Sequence, residues 1–216
     1  ERGLITEAET DGLPLAFGDA AVYIEAVKRI VSQPTDFYKA LARGVEHAAS
    51  VYGGLDFALA FGGNEMPGYH TGPACHVGWS VGARHSHLDN AGYSLDQNAA
   101  KKGQVLTPEF VGTTLLEEER WRQVLTSLVV CLFARGIYDR ETTLNALAAA
   151  GFEWNVADLE RLGTETLRRK IAFKQREGFD FGALRVPQRI IETPSPAGPF
   201  DEAFVRAAIA SFSEQV

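Results

Sequence analysis

Four of the five histidines and one of the two cysteines fall between His70 and His87. The run reads Asn64-Glu65-Met66-Pro67-Gly68-Tyr69-His70, then Cys75-His76, then Gly82-Ala83-Arg84-His85-Ser86-His87-Leu88-Asp89-Asn90. Imidazole changes charge near neutral pH and is the commonest metal ligand among side chains. This glycine-punctuated segment is therefore the first place to look for chemistry. Proton transfer is one possibility. Metal binding is another: His70, Cys75, His76, His85 and His87 carry enough nitrogen and sulfur for tetrahedral zinc, as in a stand-alone zinc hydrolase. The spacing matches no standard finger, however, and the adjacent Cys75-His76 pair is poorly arranged to hold one ion together. The structural alternative is a tight polar connection whose histidines cap turns or pack against aromatic rings. Glu65 has three readings: a pair with Arg84, an orienting partner for a histidine, or an acceptor for turn amides. Tyr69, Trp79 and Tyr93 suit a flat or apolar substrate, and suit core packing equally well. His47 reads as a solvated residue on its helix.

Helical periodicity dominates the elements that must position this segment. Asp19 caps a predicted helix running to Val31, with Val22, Ile24, Val27, Ile30 and Val31 as its apolar stripe. Pro34-Thr35 opens a second helix carrying Phe37, Leu41, Val45 and Ala48 to a stop at Gly53-Gly54. Residues 55–61 read as a short buried strand or a loop. Short helices are expected over Cys75 to Val81 and Asp89 to Ala99, before a break at Lys101-Lys102-Gly103. A long helix is expected from Thr113 or Thr114, through Leu128, Cys131 and Ala134, to Gly136. Asp139 and Asn155 cap two further helices, to Ala150 and to about Arg176. Pro187, Pro194, Pro196 and Pro199 impose an irregular passage before a terminal helix to about Phe212. The sum is an all-α, multihelical chain of two or three helical subdomains. The expected division is residues 1–105, with the histidine-rich segment at 62–97, and residues 106–216, with Cys131 and the proline-rich passage.

Composition removes several function classes. A net charge of −7 over 216 residues leaves no basic stripe to neutralise phosphates, so nucleic acid is not an expected partner. No apolar run approaches the roughly 18 residues that a bilayer-spanning helix needs. Two cysteines make no disulfide framework, and a reducing cytoplasm is the default compartment. Glu1-Arg2-Gly3-Leu4 resembles neither a signal peptide nor a start, and reads as the middle of a longer polypeptide.

Five blocks, in order, resemble the C-terminal half of the tungsten-dependent aldehyde:ferredoxin oxidoreductases. They are Glu1-Arg2-Gly3-Leu4-Ile5-Thr6 with Leu15 and Gly18-Asp19; Tyr38-Lys39-Ala40-Leu41-Ala42-Arg43-Gly44-Val45; Glu65-Met66-Pro67-Gly68-Tyr69; Gly82-Ala83-Arg84-His85; and Arg176-Glu177-Gly178-Phe179 with Val186-Pro187-Gln188-Arg189. Together they span nearly the whole chain. The resemblance implies an enzyme that oxidises aldehydes to carboxylic acids on a tungsten (or molybdenum) bis-pterin, passing electrons through one [4Fe–4S] cluster to ferredoxin. It implies three cluster thiolates from a C-x2-C-x3-C run, absent here, and a fourth from a D-x-x-G-L-C motif that also touches pterin. Thr126-Ser127-Leu128-Val129-Val130-Cys131 stands at that motif, making Cys131 the implied cluster ligand and Thr126, Val130 and Cys131 the implied cofactor contacts. Thr126 replaces the aspartate and Val129 the glycine. One hydroxyl takes the place of a carboxylate, and a branched Cβ takes the place of a bare Cα.

His85 stands at the position whose imidazole the resemblance puts beside metal and substrate, where it would exchange a proton with the reacting oxygen. His87 is its rival, because the loop is shorter than the usual family spacing. His70 stands where the family has an aspartate, pointing to a specialised subfamily. One cysteine cannot hold a four-iron cluster. The expectation is therefore a portion of a longer enzyme, inactive alone, that needs an N-terminal cofactor-binding domain, an electron acceptor such as ferredoxin and a small aldehyde. The other expectation is a catalytically inactive helical scaffold derived from the same family. Apart from a cluster ligand, Cys131 has the ordinary reading of a small buried residue on a helix face.

Overall fold

The computed structural model describes residues 2–134 and 136–216. Helices make up nearly all of its regular structure, as the periodicity requires, and the only strands among the described residues are two short ones. Contacts gather the chain into two compact units: Glu1–Pro67 with Val186–Glu192, and Gly68–Arg185 with Thr193–Val216. The junction expected at 105–106 lies in the connection between α5 (Gly92–Lys102) and α6 (Pro108–Ser127), inside the second unit.

The first unit contains α1 (Ala20–Ser32), α2 (Asp36–Leu41), α3 (Val45–Tyr52), the β1 (Ala60–Phe61) and β2 (Asn64–Glu65) hairpin, and α9 (Gln188–Glu192). Asp19 caps α1 by accepting from the Val22 amide, as its position implies. The expected apolar stripe of α1 is split: Val22 and Ile30 are half-buried, while Ile24, Val27 and Val31 are 58%, 60% and 77% exposed. Arg29 explains the split. Its Nη1 donates to the carbonyls of Thr10 and Asp11 at 3.0 and 2.9 Å, so a guanidinium occupies the inward face. The second expected helix is broken into α2 and α3. Gly44 sits at φ +99, a left-handed geometry that interrupts the helix at little cost. Glu65 then caps the new start by accepting from the Val45 amide at 2.9 Å. Of its three readings, the turn-amide one is correct. His47 is half-buried rather than fully solvated.

The second unit packs α4 (Pro73–Val81), α5, α6, α7 (Arg140–Ala149), α8 (Val156–Arg176) and α10 (Glu202–Ser213). Helix α6 is the hub, lying against α4, α8 and α10. Its buried stripe of Val111, Leu115, Leu116, Val124 and Leu125 meets Leu159, Leu167 and Ile171 of α8 and Val205, Ile209 and Phe212 of α10. Two glycines permit the close approach. A Cβ on Gly163 of α8 would land on the Arg120 carbonyl, and one on Gly112 would lie 2.7 Å from the Ala208 carbonyl. Among the described residues no helix is long and apolar enough to cross a membrane.

Helix α6 differs from expectation at both ends. Thr107 caps it and Pro108 occupies its first turn, six residues before the expected start. It stops at Ser127 rather than near Gly136. The stop is a Schellman motif: the Val129 amide donates to the Thr126 carbonyl and the Val130 amide to the Leu125 carbonyl, at 3.1 and 2.9 Å. Val129 takes the left-handed position, φ +59, that glycine ordinarily fills. Cys131 therefore follows a helix end, and it is exposed, not buried on a helix face.

Candidate functional site

The Gly82-Ala83-Arg84-His85 turn lies in the second unit, between the end of α4 and the flanks of α6 and α8. Two buried acids build it. Asp89 accepts from the Arg84 and Ser86 amides at 2.8 and 3.1 Å and pairs with Arg84 Nε at 2.7 Å. Glu119, on α6, accepts from the Ala83 amide at 2.8 Å through one oxygen and from Asn90 Nδ2 at 3.0 Å through the other. Asn90 Nδ2 also donates to the Gly78 carbonyl at 3.1 Å, tying the turn back to α4. Burial, with the Asp89 charge beside it, pushes the Glu119 carboxyl up to about 7 against the pull of these donors and Lys174.

These bonds hold His85 in a left-handed backbone conformation, φ +52, with its side chain buried. His85 Nδ1 lies 3.0 Å from the Trp79 carbonyl, which can only accept, so Nδ1 carries the proton. Nε2 then presents a lone pair, and Lys174 Nζ lies 3.0 Å from it. Lys174 also donates to the Gly82 carbonyl at 3.0 Å and rests 3.7 Å above the Phe179 ring centroid. Burial draws the Lys174 ammonium down to about 8, with Glu119 and Asp89 pulling the other way. The end of α8 explains Phe179. Gly178 takes the left-handed place of a second Schellman motif, and the Phe179 amide returns to the Lys174 carbonyl at 2.9 Å. That fold-back is what the Arg176-Glu177-Gly178-Phe179 block encodes, and it lays the ring over the lysine.

His87 has different company. Its ring lies 5.3 Å from Tyr69, 5.9 Å from Trp79 and 6.1 Å from Tyr93, while Tyr69 and Tyr93 stack at 5.0 Å. Burial, then the Arg122 charge, lowers its basicity. The three aromatic residues singled out from sequence thus pack on a histidine, the two tyrosines also on each other. His70 and His76 form a second pair, Nδ1 to Nε2 at 2.8 Å, with His70 Nε2 donating to the Thr193 carbonyl at 2.8 Å. That bond fixes His76 Nε2 as the donor and leaves His76 Nδ1 buried without a hydrogen-bond partner. Desolvation, then His70, pulls His76 down to about 3. Cys75 is buried, donates to the Tyr69 carbonyl at 3.1 Å and is pushed up to about 12 by burial and Asp96. That bond turns the thiol toward the Tyr69 carbonyl inside the fold. Among the described residues no group of three or more histidine, cysteine or acidic side chains converges to hold a metal ion.

Thr126 is exposed on the last turn of α6, Val130 is half-buried, and Cys131 is a free exposed thiol. His85 is held from α4 and α8, whereas Cys131 belongs to the turn after α6. The chain matches the family described as "Aldehyde ferredoxin oxidoreductase, domains 2 & 3" over residues 1–215. The chain belongs to that family. No curated protein and no solved structure matches it. The family's name makes the chain part of an oxidoreductase, and its all-α architecture is that of the C-terminal domains alone. Sequence reasoning missed Glu119, Asp89, Asn90 and Lys174. The signal existed for two of them: Glu119 is in helical phase with Leu115 and Leu116, and Lys174 with Leu167 and Ile171, so each sits on a buried stripe.

Proposed function

We propose that this chain is the C-terminal portion of a cytoplasmic enzyme that oxidises small aldehydes to carboxylic acids. In that reading a tungsten or molybdenum bis-pterin and a [4Fe–4S] cluster lie against it, and ferredoxin or a similar carrier takes the electrons. The observation that carries the proposal is the family match across 215 residues, with Cys131 at the end of its motif. Cys131 fits the fourth cluster thiolate because it is exposed and free. Cys75 fits less well, being buried with its thiol turned to the Tyr69 carbonyl. The chain fits one ligand and needs three thiolates from elsewhere. Thr126 and Val130 would border the pterin, Thr126 through a neutral hydroxyl.

The bound cofactors would supply two-electron oxidation and onward one-electron transfer. What this chain's residues do is narrower. His85 holds one proton at Nδ1, locked on the Trp79 carbonyl, and turns Nε2 toward Lys174, where it would exchange a proton with that amine or with an oxygen that displaces it. Glu119 and Asp89 fix the turn that aims the imidazole. His87, inside its aromatic cluster, lines the same segment as a packing residue. The 216-residue chain alone should reduce no viologen with any aldehyde, while the complete polypeptide should do so. Turnover by the chain alone would overturn the reading. The scaffold reading is favoured by one observation: Thr126 and Val129 replace the aspartate and glycine of the motif that the resemblance implies. A complete polypeptide without a cluster would support it.

A further inference from the structure

Lys174 is set apart from the other lysines by what surrounds its nitrogen. Lys28 and Lys39 lie in exposed ion pairs with Glu25 and Asp36, and Lys101 and Lys102 are exposed at the end of α5. Lys170 donates to Gln123 at 2.5 Å. Lys174 alone among them abuts an imidazole. Its Nζ is half-buried, 3.0 Å from both His85 Nε2 and the Gly82 carbonyl, with the Phe179 face 3.7 Å beneath. The His85 tautomer is fixed by the Trp79 carbonyl, so the atom facing Lys174 is a proton acceptor. An amine with a base at hydrogen-bond distance, in a partly desolvated site, is the arrangement of a covalent nucleophile.

From this geometry we propose that Lys174 captures small aldehydes as an imine, with His85 as the base that frees the amine. The inference takes only the substrate class from the proposed function. His85 Nε2 removes one proton from the ammonium. The Nζ lone pair then attacks the carbonyl carbon, a C–N bond forms, and the carbonyl electron pair moves to oxygen, which takes the proton back from His85. The resulting carbinolamine, still protonated at nitrogen, passes one nitrogen proton through His85 to its hydroxyl, which leaves as water. Overall an ammonium and an aldehyde give a protonated imine and one water, with no oxidant or reductant consumed. The protonated imine keeps one N–H, which the Gly82 carbonyl can accept, and a positive charge, which the Phe179 face stabilises.

The charged and titratable groups facing Lys174 are His85 and Asp89 from the turn and Glu119 from α6. The two acids favour the ammonium and burial opposes it more strongly, so the amine is freed near pH 8 rather than near 10.

The test is reductive trapping. The protein is incubated with propionaldehyde and cyanoborohydride from pH 6 to 11, and each lysine is followed by peptide mass mapping. At pH 7.5 Lys174 should be alkylated about 10-fold faster than Lys28, Lys39, Lys101 and Lys102, since its amine is freed at lower pH and is correspondingly less basic. Its rate should be half-maximal near pH 8, and His85→Gln should slow Lys174 toward the surface lysines without changing them. Alkylation of Lys174 no faster than those four in the unaltered protein, or a rate that rises only above pH 10, would overturn the proposal. Trapping needs neither cluster nor pterin. Its failure therefore leaves the oxidoreductase reading standing, and a missing cluster leaves the trapping result legible.

Discussion

His85 owes its place to neighbours that carry no catalytic signature of their own. Glu119 is fully buried with both oxygens bonded, so truncating it strands the Ala83 amide and Asn90 Nδ2. Glu119→Ala should cost about 2–3 kcal/mol, read by urea unfolding, because buried donors left unpaired carry their desolvation penalty. His76 gives a pH-dependent counterpart. Its folded pKa of about 3 lies below its ordinary 6.5, so it contributes stability that is lost as pH falls from about 6.5 toward 3. Glu119 and Asp96 act oppositely: each is raised by burial, to about 7 and about 6, and favours the folded state more as pH falls. The difference between the unaltered protein and His76→Gln isolates the imidazole. Between pH 6 and 4 the unaltered protein should lose stability relative to the variant by up to about 1.4 kcal/mol per pH unit. Parallel stability curves would contradict that account. The histidine cluster was legible because imidazoles crowd visibly in sequence. Its supports were not, since Glu117-Glu118-Glu119-Arg120 looks like a solvated face and only the helical phase separates Glu119 from its neighbours.

Two helix ends marked by glycine were legible, whereas the break at Gly44 was not. Gly151 and Gly178 take left-handed conformations at the ends of α7 and α8, and both stops are evident in the sequence. The end of α6 is invisible for the converse reason. Valine stands at its left-handed position, nothing in the sequence signals a stop, and the helix reads on past Cys131. This also changes the meaning of the family's glycine there: it fits the backbone angle of a helix cap, whether or not a cofactor approaches. Val129 is 90% exposed and makes no packing that its removal would forfeit. Val129→Gly should therefore stabilise the protein by about 0.5–1 kcal/mol, the relief of left-handed strain outweighing the added chain entropy. Gly178→Ala should destabilise by about 1–2 kcal/mol, and it should slow trapping at Lys174 by displacing Phe179. Gly163→Ala, which drives a methyl into the Arg120 carbonyl, should cost about 2–3 kcal/mol and lower the thermal midpoint. The break between α2 and α3 was hidden differently. Glu65, twenty residues downstream of Val45, supplies the cap, and no local pattern reports so distant a partner.

At the scale of the whole molecule, ordered blocks of resemblance identified what no single motif could. The all-α class followed from periodicity, and the family match over residues 1–215 rests on the same distributed signal. The two compact units were not legible, because the segment Val186–Glu192 returns to the first unit after a long excursion through the second. The functional account centres on Cys131 as a cluster thiolate of a larger enzyme. Low-temperature electron paramagnetic resonance of the complete, dithionite-reduced polypeptide tests this most directly, comparing Cys131→Ala with Cys75→Ala. The account predicts that Cys131→Ala abolishes the [4Fe–4S]⁺ signal or converts the cluster to a three-iron form, while Cys75→Ala preserves it. An undiminished four-iron signal in the Cys131→Ala protein would contradict it.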